Sequence, residues 1–338
     1  MATHLTQKEN FLRVVRGEMP EYVPVSSMGP DSAPLMTMAD PSIIGNFRGP
    51  QGGKDPWGVT FVTNKETNYA AIPEPGNFIL DDVRKWRDVI KRPDYSGFDW
   101  EKAAKEDWAK YVKDPDQTLF TISGFADFFQ QFISFMGFTN GLMALYEEKE
   151  EVEELLDYML DFSLWITKNV LYYYKPEGFY LLDDSASKLH PFISPQLFEE
   201  LFVPRYKKVL ELAIEDGLPV FYHNCGRCED FLPAMVEIGV NVWDPAQVEN
   251  DLVAIKKRFG RKLAINGGFE YPMPSTWPEV DEEHVREAVR ETFNKLAPDG
   301  GYIFSGMLKS LDWQDPKVQE VNGWIRDEAR KLSKTFYK

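Results

Sequence analysis

The chain has 338 residues, 43% of them apolar and 27% charged, with 54 acidic against 38 basic side chains and a net charge of -16. So acidic a surface repels phosphate backbones and excludes nucleic acid as a partner. No apolar run approaches the roughly 20 residues needed to cross a bilayer, and the first residues lack the pattern of a signal peptide. The two cysteines, separated by two residues, cannot build a disulfide framework, so the cytoplasm is the expected compartment.

In chain order, residues 6–17 read as a helix, with Thr6 as cap, Glu9 completing a capping box and Gly17 ending it. "YVPVSS" (22–27) reads as a short buried strand. Residues 28–78 are rich in Gly, Pro and Met and lack helical periodicity. Within them "GVTFVTNKETNYAAI" has the form of a hairpin around Asn64 and Lys65. This stretch reads as an excursion over a barrel mouth. The acidic run 147–157 reads as the solvated face of a helix.

From residue 118 onward, short apolar runs alternate with amphipathic stretches. The runs are "TLFTISG" (118–124), "GFYLLDD" (178–184), "LPVFYHNCG" (218–226), "VNVWDPAQ" (240–247), "KLAINGG" (262–268) and "GYIFSG" (301–306). Each is followed by a helical pattern, which predicts a parallel sheet. With 22–27 this gives seven strands, and the eighth has no clear sequence signal. The expected fold is an α/β (β/α)8 TIM barrel, one domain over 1–338, with an N-terminal helical segment and the 28–78 excursion over its mouth. In such a barrel the polar residues at strand ends carry the function, which singles out Asp183, Asp184, His223, Cys225, Asp244, Gln247, Glu270 and Ser305.

"FYHNCGRCED" (221–230) holds one of the four histidines and both cysteines. Residues two apart on a strand face the same way, so His223 and Cys225 aim together into the mouth. Imidazole and thiolate are both zinc ligands, and a catalytic zinc takes three protein ligands and keeps one position open. The spacing leaves the third open among Cys228, Glu270 and Asp184, and leaves open too a reading of the cysteines as small buried residues.

Together "LTQKENFLRVVRGEMPEYVPV", "DDSASKLHPFISPQLFEELFVPRYKKVLELA", "YHNCG", "MVEIGVNVWDPAQ" and "GGYIFSG" resemble the uroporphyrinogen decarboxylase superfamily. The closer resemblance is to its methyltransferase branch, which acts with corrinoid proteins. It runs over nearly the whole chain and is weakest between 28 and 115. It implies a barrel, zinc on His223 and Cys225, and cobalamin supplied by a partner corrinoid protein. The branch carries its third ligand on a later cysteine, where this sequence has Met307. Glu270 is the first substitute and Cys228 the second. Residues 26–50 hold a single arginine, Arg48, too few for the several guanidinium partners a porphyrinogen polycarboxylate needs.

The Phe-rich stretch 124–138 follows a strand end. Phe125, Phe128 and Phe129, with Asp183 and Gln247, are the expected substrate contacts, walling a pocket for a flat apolar ring. Core packing is the competing reading of phenylalanines at helical spacing. The expected reaction is O-demethylation of a small methoxylated aromatic, its methyl passing to cob(I)alamin on the partner. His223, Asp184 and Tyr222 are the expected catalytic residues, the last two as acids toward the ether oxygen. The alternative is a decarboxylase-like lyase acting on a small acid without metal, and a silent ligand-binding barrel is a third reading. Neither nucleic acid nor membrane is expected as a partner, and a homodimer stays open.

Overall fold

The computed structural model describes residues 5–26 and 33–337, apart from 46, 48, 66, 68, 124, 311 and 313. Arg48 and the 27–32 part of the expected strand and excursion lie outside the described residues. The chain opens with helix α1 (Gln7–Val15), capped as its sequence demands. Thr6 accepts from the Glu9 amide, and Glu9 reaches back to the Thr6 amide. Strand β1 (Val25–Ser26) follows. The excursion holds β2 (Gly53–Lys54), β3 (Thr60–Val62) and β4 (Ile72–Pro73), an antiparallel sheet that contains the expected hairpin. Helices α2 (Trp86–Val89) and α3 (Trp100–Tyr111) lead to β5 (Thr121–Ser123).

The alternation then runs as its sequence predicts. Helices α4 (Phe128–Met136), α5 (Phe138–Glu147) and α6 (Lys149–Tyr174) lead to β6 (Gly178–Leu182). Helices α7 (Pro195–Leu201) and α8 (Val203–Glu215) lead to β7 (Val220–His223). After them come α9 (Leu232–Glu237), β8 (Val242–Ala246), α10 (Leu252–Phe259), β9 (Ala264–Tyr271), α11 (Glu282–Leu296), β10 (Tyr302–Leu308) and α12 (Pro316–Ser333). Seven strands form one parallel sheet in the order β1-β10-β9-β8-β7-β6-β5, the curled sheet of a TIM barrel.

The eighth stave lies inside the excursion. Residues 35–39 run parallel to the segment leading into β5, with bridges Met36–Leu119 and Ala39–Ile122. The amides of Thr37 and Ala39 donate to the carbonyls of Leu119 and Thr121, and those of Leu119 and Ser123 donate back to Leu35 and Ala39. The excursion therefore supplies part of the wall before it crosses the mouth.

Two apolar clusters follow from the alternation of side chains along each strand. Inside the barrel, Leu35, Leu119, Tyr180, Phe221, Val242, Ala264 and Ile303 meet, and Phe11, Val14 and Val15 of α1 close against them from below. Between strands and outer helices lies the larger cluster, which includes Phe179, Tyr222, Trp243, Ile265 and Phe304. Two residues beyond the inner apolar layer the interior turns polar, at Thr121, His223, Asp244, Asn266 and Ser305. The barrel is greasy at its N-terminal end and hydrogen-bonding at its C-terminal end, where the site is built.

Candidate metal centre

Asp184, His223 and Cys225 converge at that polar end. Each offers one ligand atom, and the three atoms lie within 4.8 Å of one another. His223 is the last residue of β7, two beyond inward-facing Phe221, and Cys225 lies two further on. Asp184 sits just past β6, two residues beyond Leu182, which pairs in register with His223. The Cys225 sulfur is 3.4 Å from Nε2 of His223, and Oδ1 of Asp184 is 3.8 Å from the same nitrogen.

The other imidazole nitrogen is already occupied. Nδ1 of His223 lies 2.8 Å from Oδ1 of Asp244 on the neighbouring strand, and the Tyr180 hydroxyl donates to that same oxygen at 2.5 Å. The carboxylate fixes the ring plane and leaves Nε2 facing Asp184 and Cys225. Burial works against a proton on His223, but the hydrogen bonds to Asp244 and Cys225 outweigh it and raise its pKa well above the usual 6.5. Burial likewise pushes the Cys225 thiol up, while His223 draws it down.

The "NCG" of the motif has a structural meaning at each position. Asn224 accepts from the Ser185 amide at 3.1 Å and donates to the Ser185 hydroxyl at 2.8 Å, tying the β7 loop to the β6 loop. The Cys225 amide donates to Oδ1 of Asp184 at 2.7 Å, so the acid is positioned by the cysteine's own backbone. Gly226 has φ +85°, and a Cβ there would sit 2.5 Å from the Ser187 carbonyl oxygen, so only glycine allows the two loops to meet. Asn250 completes the brace by accepting from the amides of Cys228 and Glu229, both at 3.0 Å, and donating to the Gly226 carbonyl.

Several expected site residues are placed elsewhere. Glu270 is held by Lys309 at 2.7 Å and by Gln247 at 3.2 Å, and it is not part of the trio. Cys228 is fully buried, its thiol 3.4 Å from the Asn224 carbonyl oxygen, and burial raises its pKa strongly. Met307 lies across from Glu270 in the β9–β10 register. The third converging group is instead Asp184.

Asp183 is wholly buried and is a helix cap rather than a mouth residue. Its oxygens accept from the amides of Phe129 and Gln130 at the start of α4 and from the Tyr206 hydroxyl, at 2.7, 2.9 and 2.5 Å. Tyr222 is also wholly buried, on the outer face of β7, and its hydroxyl accepts from Asn224 at 2.5 Å. Alternation along the strand turns it away from His223, which removes it as an acid for a bound ligand.

Phe128 packs at a tilt against Tyr206, and Phe129 lies between Phe192 and Phe202; both are core. Phe125 alone of the three lines a pocket at this end, with Ile44, Phe47, Leu182, Ser123 and Gln131 among its neighbours. Gln247 reaches the rim, where it accepts from the Gly226 amide at 2.5 Å and donates to Glu270. Of the supporting residues, Asn224 lies inside the His-Cys motif without being singled out by it, and Tyr180 and Asn250 carry no motif of their own. Their signal is only their position on or just past strands whose ends were already recognised.

The trio suits a zinc ion. Zinc bonds of about 2.0–2.3 Å at tetrahedral angles separate neighbouring donors by about 3.4–3.5 Å. The sulfur–nitrogen and nitrogen–oxygen separations of 3.4 and 3.8 Å fall near that value. Imidazole, thiolate and carboxylate are all accepted zinc donors, and the Asp244 partner behind the histidine is the arrangement such ligands need. Next to the trio, Oδ2 of Asp244 and Oε1 of Gln130 are buried acceptors that no protein group satisfies.

No curated protein matches the sequence. Among solved structures, the fold aligns with a methyltransferase from Methanosarcina mazei over 99% of this chain and 100% of that one, at 14% identity and a TM-score of 0.60. A 3-keto-D-glucoside 4-epimerase from E. coli aligns over 75% of this chain and 97% of its own, at 14% identity and a TM-score of 0.33, too low to carry an argument. The sequence itself matches the profile described as Uroporphyrinogen decarboxylase (URO-D) over residues 128–306, which is more than half of the 338 residues and runs from α4 to β10. With the strand-end residues of a TIM barrel carrying its candidate site, the chain belongs to the uroporphyrinogen decarboxylase family.

Proposed function

We propose that the protein is a methyltransferase that moves a methyl group from a small methoxylated aromatic to the cob(I)alamin of a partner corrinoid protein, with zinc held by Asp184, His223 and Cys225. The observation that carries this reading is the convergence of those three ligand atoms within 4.8 Å at the C-terminal end of the barrel. The likeness of the fold to a solved methyltransferase supports it. When bound, zinc supplies a Lewis acid that draws charge from an ether oxygen.

The chain's own residues supply the rest. Asp244 holds the His223 ring, and Tyr180 holds Asp244. Asp184 is aimed by the Cys225 amide. Phe125, Ile44, Phe47 and Leu182 line the neighbouring pocket with Asp40, Asp127, Ser123 and Gln131; at about 20 Å³ it must widen, by movement of these side chains, to admit an aromatic ring. With Tyr222 turned outward and Asp184 among the ligands, no acid in the trio is left to protonate the leaving oxygen.

The test is purification followed by metal analysis, then incubation with a methoxyphenol and free cob(I)alamin, reading methylcobalamin by its absorbance. About one zinc per chain and zinc-dependent methyl transfer support the proposal. A metal-free protein that releases carbon dioxide from a small carboxylic acid would favour the lyase alternative instead.

A further inference from the structure

The opposite end of the barrel carries a second concavity. A cleft of about 850 Å³ opens beside the C-terminal end of α1, lined by Arg16, Lys256, Lys257, Arg261, Lys262 and Lys295. Asp299 is the one carboxylate in its lining. In a chain of net charge -16 this is an island of opposite sign. Some cations elsewhere are held by carboxylates, as Arg286 and Arg290 are by Glu328, Arg205 by Asp157 and Lys309 by Glu270. Among the described residues, Arg16, Lys257, Lys262 and Lys295 have no carboxylate within ion-pair distance.

Helix dipoles explain part of the arrangement. Lys256 and Lys257 lie in the last turn of α10, Lys295 in that of α11, and Arg16 caps α1, where cations are favoured. They do not explain Arg261 and Lys262, which follow α10 in the turn into β9, nor the concave shape. Arg261 is fixed there, donating to the Gly17 carbonyl at 2.9 Å, and the Lys256 ammonium donates to the Gly300 carbonyl. Burial, with Arg261 adding to it and Asp299 opposing, lowers the Lys256 pKa to about 8. An anion in the cleft would offset this cost of burying the charged ammonium.

We propose that this cleft binds a phosphate-bearing small molecule of nucleotide-diphosphate size. The volume falls in the range of small-molecule sites, roughly 300–1,000 Å³, rather than that of a flat docking face. Several lysine point charges around a fixed guanidinium suit the oxygens of a diphosphate. A second cleft of about 600 Å³ shares Val15, Arg16 and Asn241 with the first, and Leu12, Leu119, Leu218 and Pro219 line it together with Glu177, which Lys8 neutralises. It offers room for the uncharged body of the same ligand.

The test is calorimetric titration of the full chain with inorganic pyrophosphate and, separately, with ADP, at constant ionic strength. The expected result is saturable binding of at least one probe. It should weaken tenfold or more in a Lys257→Ala/Lys262→Ala variant whose melting temperature without ligand is unchanged, both side chains being exposed. Pyrophosphate alone binding would identify the phosphates as the whole determinant. Tighter binding of ADP would bring the apolar cleft into the site. No saturable binding of either probe at millimolar concentration, equal binding by the variant, or binding only of an acidic polypeptide would overturn the proposal.

Discussion

Nδ1 of His223 and Oδ1 of Asp244 stand 2.8 Å apart across the β7–β8 pair, and this contact decides which face of the imidazole meets Asp184 and Cys225. Removing the carboxylate as Asp244→Ala should leave the fold intact and weaken zinc binding about 10- to 100-fold, as outer partners of ligating histidines do elsewhere. His223→Ala and Cys225→Ala should each abolish stoichiometric zinc. Metal content after dialysis, and competition with a chromogenic chelator, would show the gradation. Equal zinc in all three variants would remove the trio as the site.

The two cysteines should behave differently. Cys228 is fully buried and Cys225 is partly accessible. In the metal-free native protein a thiol reagent should modify Cys225 alone, slowly because burial raises its thiol pKa. Both should react after unfolding. Cys228→Ala should keep its zinc, whereas Cys225→Ala should not. Rapid reaction of both thiols in the native state would contradict this placement.

Asp183 should matter for stability rather than for substrate. Asp183→Ala leaves two α4 amides and the Tyr206 hydroxyl without their acceptor, at a cost of about 1–3 kcal/mol or more. Phe128→Ala and Phe129→Ala should cost about 3–5 kcal/mol each as core truncations. Urea denaturation measures all three. A raised KM with an unchanged denaturation midpoint would return them to the binding site.

Asp55 gives a prediction with pH. It is buried, and burial raises its pKa above 3.8, although hydrogen bonds from Gln131 and from the Val59 amide pull the other way. The folded chain therefore keeps this proton at a pH where the unfolded chain has lost it. Its contribution to stability is full below 3.8 and is lost as pH rises through the raised value, about 1.4 kcal/mol for each unit of the shift. Asp55→Asn has no such proton to lose. Relative to the native protein, the variant should gain stability as pH increases from 3.8 upward, read as urea midpoints at a series of pH values. A stability difference that stays flat with pH would contradict the shift.

The sequence displayed the repeating part of the barrel because β6 to β10 are continuous apolar runs with polar ends, bounded by helices of clear period. It hid the eighth stave because residues 35–39, which among the described residues pair only through bridges at Leu119 and Ile122, lie between Pro34 and Pro41 in a stretch with little strand composition. His223 and Cys225 were legible from their spacing. Asp184 was recognised as a strand-end acid, but its place in the trio depends on how the β6 and β7 loops interlock through Asn224 and Gly226, and spacing within one segment does not encode that. The dense phenylalanines after β5 divided as helix periodicity alone could not tell: Phe125 to the pocket, Phe128 and Phe129 to the core.

The packing of Phe11, Val14 and Val15 beneath the inner layer has a consequence for traffic. Among the described residues, that hydrocarbon floor closes the N-terminal end, which leaves the polar end as the doorway. On the proposed methyl transfer, a small guest would have to be inside before a large visitor covered the threshold, and its remnant would leave only after that visitor had stepped away. The steady-state kinetics should therefore be strictly ordered, with the small molecule first on and last off.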